Sequence, residues 1–338
     1  MFSLSELSRK YKTISIVGMA KNAGKTTALN YLIEEAMDEG LVLGVTSTGR
    51  DGESTDIVTG TDKPRVFLDT DTIVSVPTQL YELADAGLEI LKMTEYGSSI
   101  GQIMLCRVVS SGYVQVAGPV INASHRKMCE EMLQLGAQLV LIDGAIDRKS
   151  IAAPGTSDAI ILSTGAVLSR SMKKVIEETA HTVGLYRLPC LEDGRDKDNI
   201  YNHLGKEKLM IAGGGEIREL DLTTGLGAGK YLDSIIDENT EYIYVPGAFT
   251  GSVVSDIAPK KLKDITFVLK DPTRIFIDSV SWGQLRKKGL KVKVLENINV
   301  AAITVNPSAP GGYAFEHEEL LRGMQEAIAD IPVIDVML

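Results

Sequence analysis

Cysteine is scarce in this chain. Cys106, Cys129 and Cys190 are the only three in 338 residues, far apart and odd in number. That excludes a disulfide framework, and no pair has metal-ligand spacing, so they read as free thiols in a reducing compartment. Long apolar runs are missing too. No stretch approaches the roughly 18 residues of a membrane helix. The N-terminus, with Ser3, Ser5, Glu6 and Ser8, lacks an apolar core of signal-peptide length. The expectation is a cytoplasmic protein with no membrane partner. Positive charge is also short: 35 Lys and Arg face 45 Asp and Glu, for a net charge of −10. No basic stripe stands out, so nucleic acid is not an expected partner. The four histidines, His125, His181, His203 and His317, show no ligand spacing and receive no role.

What is present suffices for a large core. The apolar fraction is 44% and the charged fraction 24%, which fits a folded chain of one or two domains. The sequence divides most naturally at a charged stretch, Glu192–Lys206. It separates a first domain, residues 1–190, from a second α/β domain, residues 207–338.

One stretch near the start organises the rest. The apolar run Ile14–Val17 ends at Gly18 and reads as a buried strand. Gly24, Lys25, Thr26 and Thr27 then open a segment whose apolar residues Leu29, Leu32, Ile33, Ala36 and Met37 share one helical face. Strand, small-residue loop, Gly-Lys-Thr and helix form the context of a phosphate-binding loop. Backbone N–H groups at a helix N-terminus, aided by the helix dipole, attract anions. The backbone from Lys21 through Asn22, Ala23, Gly24, Lys25, Thr26 and Thr27 is the expected phosphate cradle. Lys25 would reach the terminal phosphates, and the Thr26 hydroxyl would meet Mg²⁺. The loop is one residue longer than the usual motif. Five residues, Met19 to Ala23, separate its glycines, and Met19 holds the usual glycine position. Such longer loops look like those of the dethiobiotin-synthetase branch of P-loop NTPases.

Further candidates sit at the ends of apolar runs. Leu139–Ile142 ends in Asp143, a carboxylate expected at the ligand-binding edge beside Mg²⁺. A second strand, Leu41–Thr46, leads into Thr48–Asp56, which reads equally as a solvated connection or as a switch-like loop in which Asp51 and Glu53 are candidates for holding water, metal or a substrate group. Asp147, Arg148 and Lys149 follow Asp143 and read as a solvated turn, with a cis cation as the rarer alternative. Thr224–Lys230 also ends in Gly-Lys but lacks the following hydroxyl and a clear buried strand before it, so a mobile loop is the default. The loops 246–252 and 306–315 read as connections at least as readily as contacts, although Tyr313 and Phe315 could meet a partner or a flat cofactor. Between residues 64 and 117 the pattern predicts strands, a short helix over Leu80–Leu91, and a hairpin across Ser110-Ser111-Gly112. The fold class is α/β, P-loop NTPase-like, with a mostly parallel sheet covered by helices on both faces. No Asn-Lys-x-Asp string is present to read guanine, which tilts the nucleotide toward ATP.

The strings Gly18–Thr26, Gly49–Glu53 and Ile142–Lys149 together resemble the lysine 5,6-aminomutase reactivase small-subunit family, with likeness over most of the chain. That resemblance implies a partner of a MutS-like ATPase subunit. The pair would restore an adenosylcobalamin- and pyridoxal-phosphate-dependent aminomutase by releasing its damaged cobalamin. The cobalamin motif Asp-x-His-x-x-Gly is absent, in keeping with an accessory role. The expected cofactors are ATP and Mg²⁺, a homodimer is left open, and hydrolysis is uncommitted. The competing readings are an ATP-dependent ligase or synthase of the dethiobiotin-synthetase type, and a binding module that has lost hydrolysis.

Overall fold

The computed structural model describes residues 2–48, 65–98, 100–119, 121–144, 155–204, 208–222 and 228–337. It divides into two compact units: Met1–Thr179 with Asn299–Leu338, and Ala180–Ile298.

Unit 1 is built on a nine-stranded sheet. Its strands are β1 (Thr13–Gly18), β2 (Leu43–Ser47), β4 (Ile73–Pro77), β5 (Gly87–Gly97), β6 (Gln102–Ser110), β8 (Leu139–Asp143), β9 (Ala159–Gly165), β17 (Val300–Asn306) and β18 (Val333–Asp335). They lie in the order β18-β17-β9-β1-β8-β2-β4-β6-β5. From β18 to β4 every pairing is parallel; β6 and β5 add an antiparallel extension. The short strands β3 (Val66–Leu68) and β7 (Gly112–Val114) pair separately. Parallel strands need cover on both faces, and β8 shows how the sequence supplies it. Leu139 and Leu141 join a core with Leu29, Leu32 and Ile33 of helix α2 (Lys25–Asp38) and with Leu4 of α1 (Leu4–Lys10). Val140 and Ile142 join another with Met128, Cys129 and Met132 of α3 (Asn122–Gln134). Alternate residues of one strand thus feed two cores, because successive side chains point to opposite faces.

Unit 2 holds a five-stranded sheet, β11-β10-β12-β14-β16. β10 (Met210–Gly213) and β11 (Glu216–Glu219) form a hairpin, while β12 (Tyr242–Val245), β14 (Thr266–Leu269) and β16 (Val292–Val294) run parallel. Two-residue strands β13 (Phe249–Thr250) and β15 (Ile275–Phe276) pair beside it. Its core includes Ile243, Phe249, Phe267 and Val292, with the two phenylalanine rings 5.1 Å apart.

Three expectations change. The division at residues 190 and 207 is not the one found, because the last 40 residues, Asn299–Leu338, belong to unit 1. β17 pairs along β9, from Val300 opposite Ile160 to Asn306 opposite Gly165, and β18 pairs with β17. The charged stretch instead folds inside unit 2 as the surface helix Arg195–His203, with only Ile200 fully buried. The helix over Leu80–Leu91 is a 3-10 turn at Thr78–Leu83 followed by β5. The hairpin instead joins β5 to β6, where the Ser98 N–H donates to the Gly101 carbonyl at 2.8 Å, and β7 pairs with β3 and not with β6.

Candidate functional site

The sheet order points to one place. β8, β2 and β4 lie on one side of β1, and β9, β17 and β18 on the other. Ligands of open α/β sheets bind outside the carboxyl ends of the strands where the order reverses, here at the end of β1. The loop Met19–Gly24 leaves that end and feeds α2, a 14-residue helix.

The loop's backbone is unusual. Asn22 has φ 62° and Gly24 has φ 94°, both left-handed. Asparagine tolerates that region, and glycine occupies it without steric cost. Left-handed residues alternating with right-handed ones turn successive N–H groups toward one concavity, which favours anions. The N–H groups of the first turn of α2 add to it, since the first backbone bond of the helix is made only at Ala28, whose N–H donates to the Gly24 carbonyl at 2.8 Å. Gly24 has a second constraint: a Cβ there would stand 3.0 Å from the Cβ of Asn306. Lys25 folds back over the strand end. A Cβ on Gly18 would meet the Lys25 Cγ and Cδ at 3.0 Å, and the Lys25 ammonium is shielded from solvent. Thr26 and Asn22 are exposed, Ala23 is buried, and Lys21, Lys25 and Thr27 are half-buried.

Met19, standing where the usual motif has glycine, anchors the loop. Its N–H donates to the Ser163 carbonyl at 2.9 Å, and its sulfur accepts from the Thr179 hydroxyl at 3.4 Å. Thr179 also meets the Thr164 hydroxyl at 2.8 Å, and Thr304 donates to Ser163 Oγ at 2.8 Å. These buried hydroxyls tie the ends of β9 and β17 to the loop.

Asp143 ends β8, beside β1. Its register partner is Ile16, and the Gly144 N–H donates to the Ile16 carbonyl at 3.2 Å. On its other side Asp143 faces Ser47 at the end of β2, and the Thr48 N–H donates to the Asp143 carbonyl at 2.9 Å. Asp143 and the loop before Thr26 therefore leave the same sheet edge on adjacent strands, about 4.8 Å apart in the pairing direction. A threonine hydroxyl and a carboxylate are the hard oxygen donors Mg²⁺ takes, its other positions being left to water and phosphate. Among the described residues no group of three His, Cys, Asp or Glu could hold a metal. Asp51, Glu53, Asp147, Arg148 and Lys149 lie outside the described residues.

Further residues surround this edge. Asn306 packs against Gly24; its only signal was a polar residue before proline at the end of an apolar strand. Gly165 is needed beside it, because a Cβ there would lie 2.0 Å from the Asn306 carbonyl oxygen. The Tyr313 hydroxyl donates to the Ala166 carbonyl, Arg170 stands 5.3 Å from the Tyr313 ring, and Phe315 meets that ring edge-on. The loop after β17 is thus pinned to the end of β9. His317, given no role from sequence, lies 2.8 Å by Nδ1 from the buried Asp335 at the end of β18. His125 is buried, with Nδ1 3.7 Å from Cys129 Sγ and Nε2 facing Gly118. Burial holds its pKa down to about 4, against a smaller opposite pull from the Ser47 carbonyl, so it is neutral near pH 7. The thiols of Cys106 and Cys129 are free, and burial pushes them up to about 11 and about 12. Such thiols are inert. Among the described residues no helix is long and apolar enough to cross a membrane.

Neither the protein-family models, nor the curated proteins, nor the solved structures compared with this chain include a match to it.

Proposed function

We propose that this chain binds Mg·ATP at the β1–α2 loop and uses the binding or hydrolysis cycle to change the conformation of a protein partner. One observation carries the reading: a left-handed loop at the switch point of a parallel sheet, with Lys25 folded back over it and Asp143 ending the adjacent strand. In this reading the backbone from Lys21 to Thr27 cradles the phosphates. Lys25 neutralises the terminal phosphates, and Thr26 and Asp143 hold Mg²⁺ directly or through water. Asp51 and Glu53 stand second in line for water or metal. Bound Mg²⁺ would offset phosphate charge; the chain's own part is to orient the phosphates and hold the metal. The resemblance of the sequence strings extends the proposal to a reactivase subunit that acts with a MutS-like ATPase on an adenosylcobalamin-dependent aminomutase.

Calorimetry on the full chain tests this. ATP should bind more tightly with Mg²⁺ than without it, and Lys25→Ala should weaken that binding. If neither ATP nor GTP gives a binding isotherm in the presence of Mg²⁺, the reading fails. If nucleotide binds but phosphate release depends on a small metabolite and not on a protein partner, the accessory role gives way to a ligase of the dethiobiotin-synthetase type.

A further inference from the structure

Unit 2 is electrically polarised. Residues 259–293 carry ten lysines and arginines against three aspartates, although the whole chain is at −10. In the sequence these cations are spread between apolar strands and form no stripe. The fold gathers most of them. Helix Pro259–Asp264 leads directly into β14, and helix Ser279–Lys288 leads through Gly289 into β16. β14 and β16 are paired neighbours, with Phe267 opposite Val292. The basic ends of both helices therefore meet at one edge of the sheet, the one where these strands begin.

Lys263, Arg286, Gly289, Leu290 and Lys291 line a depression of about 270 Å³ there. Gly289 has φ 110°, and Lys263 crosses it closely: a Cβ would lie 2.5 Å from the Lys263 Cγ. Arg286 is held by donation to the Leu290 carbonyl at 3.2 Å. Lys260, Lys287 and Lys288 flank the depression in sequence and are exposed, as are Lys263, Arg286 and Lys291. Lys261 and Lys293 have acidic neighbours, Asp233 at 3.9 Å and Glu192 at 3.2 Å. The other six form no ion pair among the described residues.

Helix ends explain only part of this. A helix C-terminus carries about half a negative charge, so two helices ask for about one cation, not six. Concentrated like charge works against the compact state unless something opposite covers it. We infer that this basic edge of unit 2 is a docking surface for a cluster of carboxylates on another protein. Five of these six cations are lysines, compact and strongly hydrated point charges that meet an anion through charge and not through a fixed fork, as mobile carboxylates of an acidic segment would require. The residues lining the depression include no aromatic on which a base could stack. A duplex presents a charge about every 1.7 Å and needs a long basic track, whereas the remainder of residues 180–298 carries twice as many acids, 14, as bases, 7.

The test is fluorescence anisotropy of the full chain with a labelled oligoglutamate peptide. Duplex DNA and phosphatidylserine vesicles serve as competing probes. The peptide should bind, and more weakly as salt rises. The triple reversal Lys263→Glu, Arg286→Glu, Lys291→Glu should weaken it about tenfold or more. The reversal pair Lys208→Glu, Lys230→Glu elsewhere in unit 2 should leave it within about twofold. If the triple reversal does not fold by circular dichroism, the triple alanine variant replaces it and should still show a clear loss. Unchanged affinity in the triple variant overturns the inference. So does tighter binding to DNA or vesicles with the same sensitivity. Self-association in sedimentation that the triple variant abolishes, without peptide binding, assigns the surface to a second copy and equally overturns it.

Discussion

Three Gly-Lys pairs stand in this chain; Gly205-Lys206 lies outside the described residues, and the fold sets the other two, Gly24-Lys25 of unit 1 and Gly229-Lys230 of unit 2, in different surroundings. Gly24 is the left-handed cap that opens a 14-residue helix directly after a buried parallel strand. Gly229 lies inside a seven-residue helix, Gly229–Ile235, whose cap Ala228 is right-handed. A Cβ on Gly229 would stand 3.0 Å from the Asp256 Cβ and 3.1 Å from the Ser252 carbonyl oxygen, so the second glycine is there for packing. A dipeptide is not a phosphate site. The strand that ends before it, the left-handed turn and the length of the helix after it are what set the proposed phosphate site at Gly24 apart.

Acid should separate the two units most strongly. His125 is the fully buried histidine of unit 1, while His181 and His203 of unit 2 are only half-buried. Its pKa in the fold is about 4 against an ordinary 6.5, so the unfolded chain takes up a proton that the fold refuses. Stability contributed by the neutral form is complete above pH 6.5 and falls as pH drops toward 4, by about 3 kcal/mol in all. Unit 1 should therefore lose hydrogen-exchange protection in that window while Trp282, the only tryptophan and part of unit 2, keeps its fluorescence. Simultaneous loss in both units would show that the pH dependence has another source.

Next in size, Lys25→Ala should weaken ATP binding by about 1–3 kcal/mol, the scale of a charge-assisted hydrogen bond. Lys230→Ala should leave it within about 0.5 kcal/mol. Equal effects in calorimetry would erase the distinction between the pairs. Gly229→Val should reverse the pattern. Overpacking against Asp256 and Ser252 should cost about 1–3 kcal/mol of stability, read by denaturant unfolding, with ATP affinity retained. Smallest, Asp143→Asn should reduce Mg²⁺-dependent affinity by about 1 kcal/mol and change metal-free affinity less. The same loss with and without Mg²⁺ would remove the metal from Asp143.

Much of unit 1 was legible because its signals are local. Ile14 to Val17, the loop glycines and the face Leu29-Leu32-Ile33-Ala36 place β1, the loop and α2 without reference to any distant residue. Asp143 could be set at a sheet edge because a run of apolar residues ends there. Residues 299–338 were misassigned because nothing local in Val300–Val305 names its partner; it pairs with β9, about 140 residues earlier. The charged stretch after Leu191 looked like a linker, since a surface helix with one buried residue has a linker's composition. Asn306 and Met19 were illegible for a related reason: each matters through a neighbour that only the pairing of β9 with β1 and β17 brings near.

The amino-acid order alone settled that apolar strands alternate with helices, that one small-residue loop sits where a strand hands over to a long helix, and that acids exceed bases. Local sterics and side-chain periodicity suffice for that. Tertiary structure decided which strands are neighbours, that the last two return to the first sheet after the second unit's residues, and that scattered lysines converge on one edge. Those outcomes depend on burying both faces of a parallel sheet at once, a condition no short segment can meet by itself.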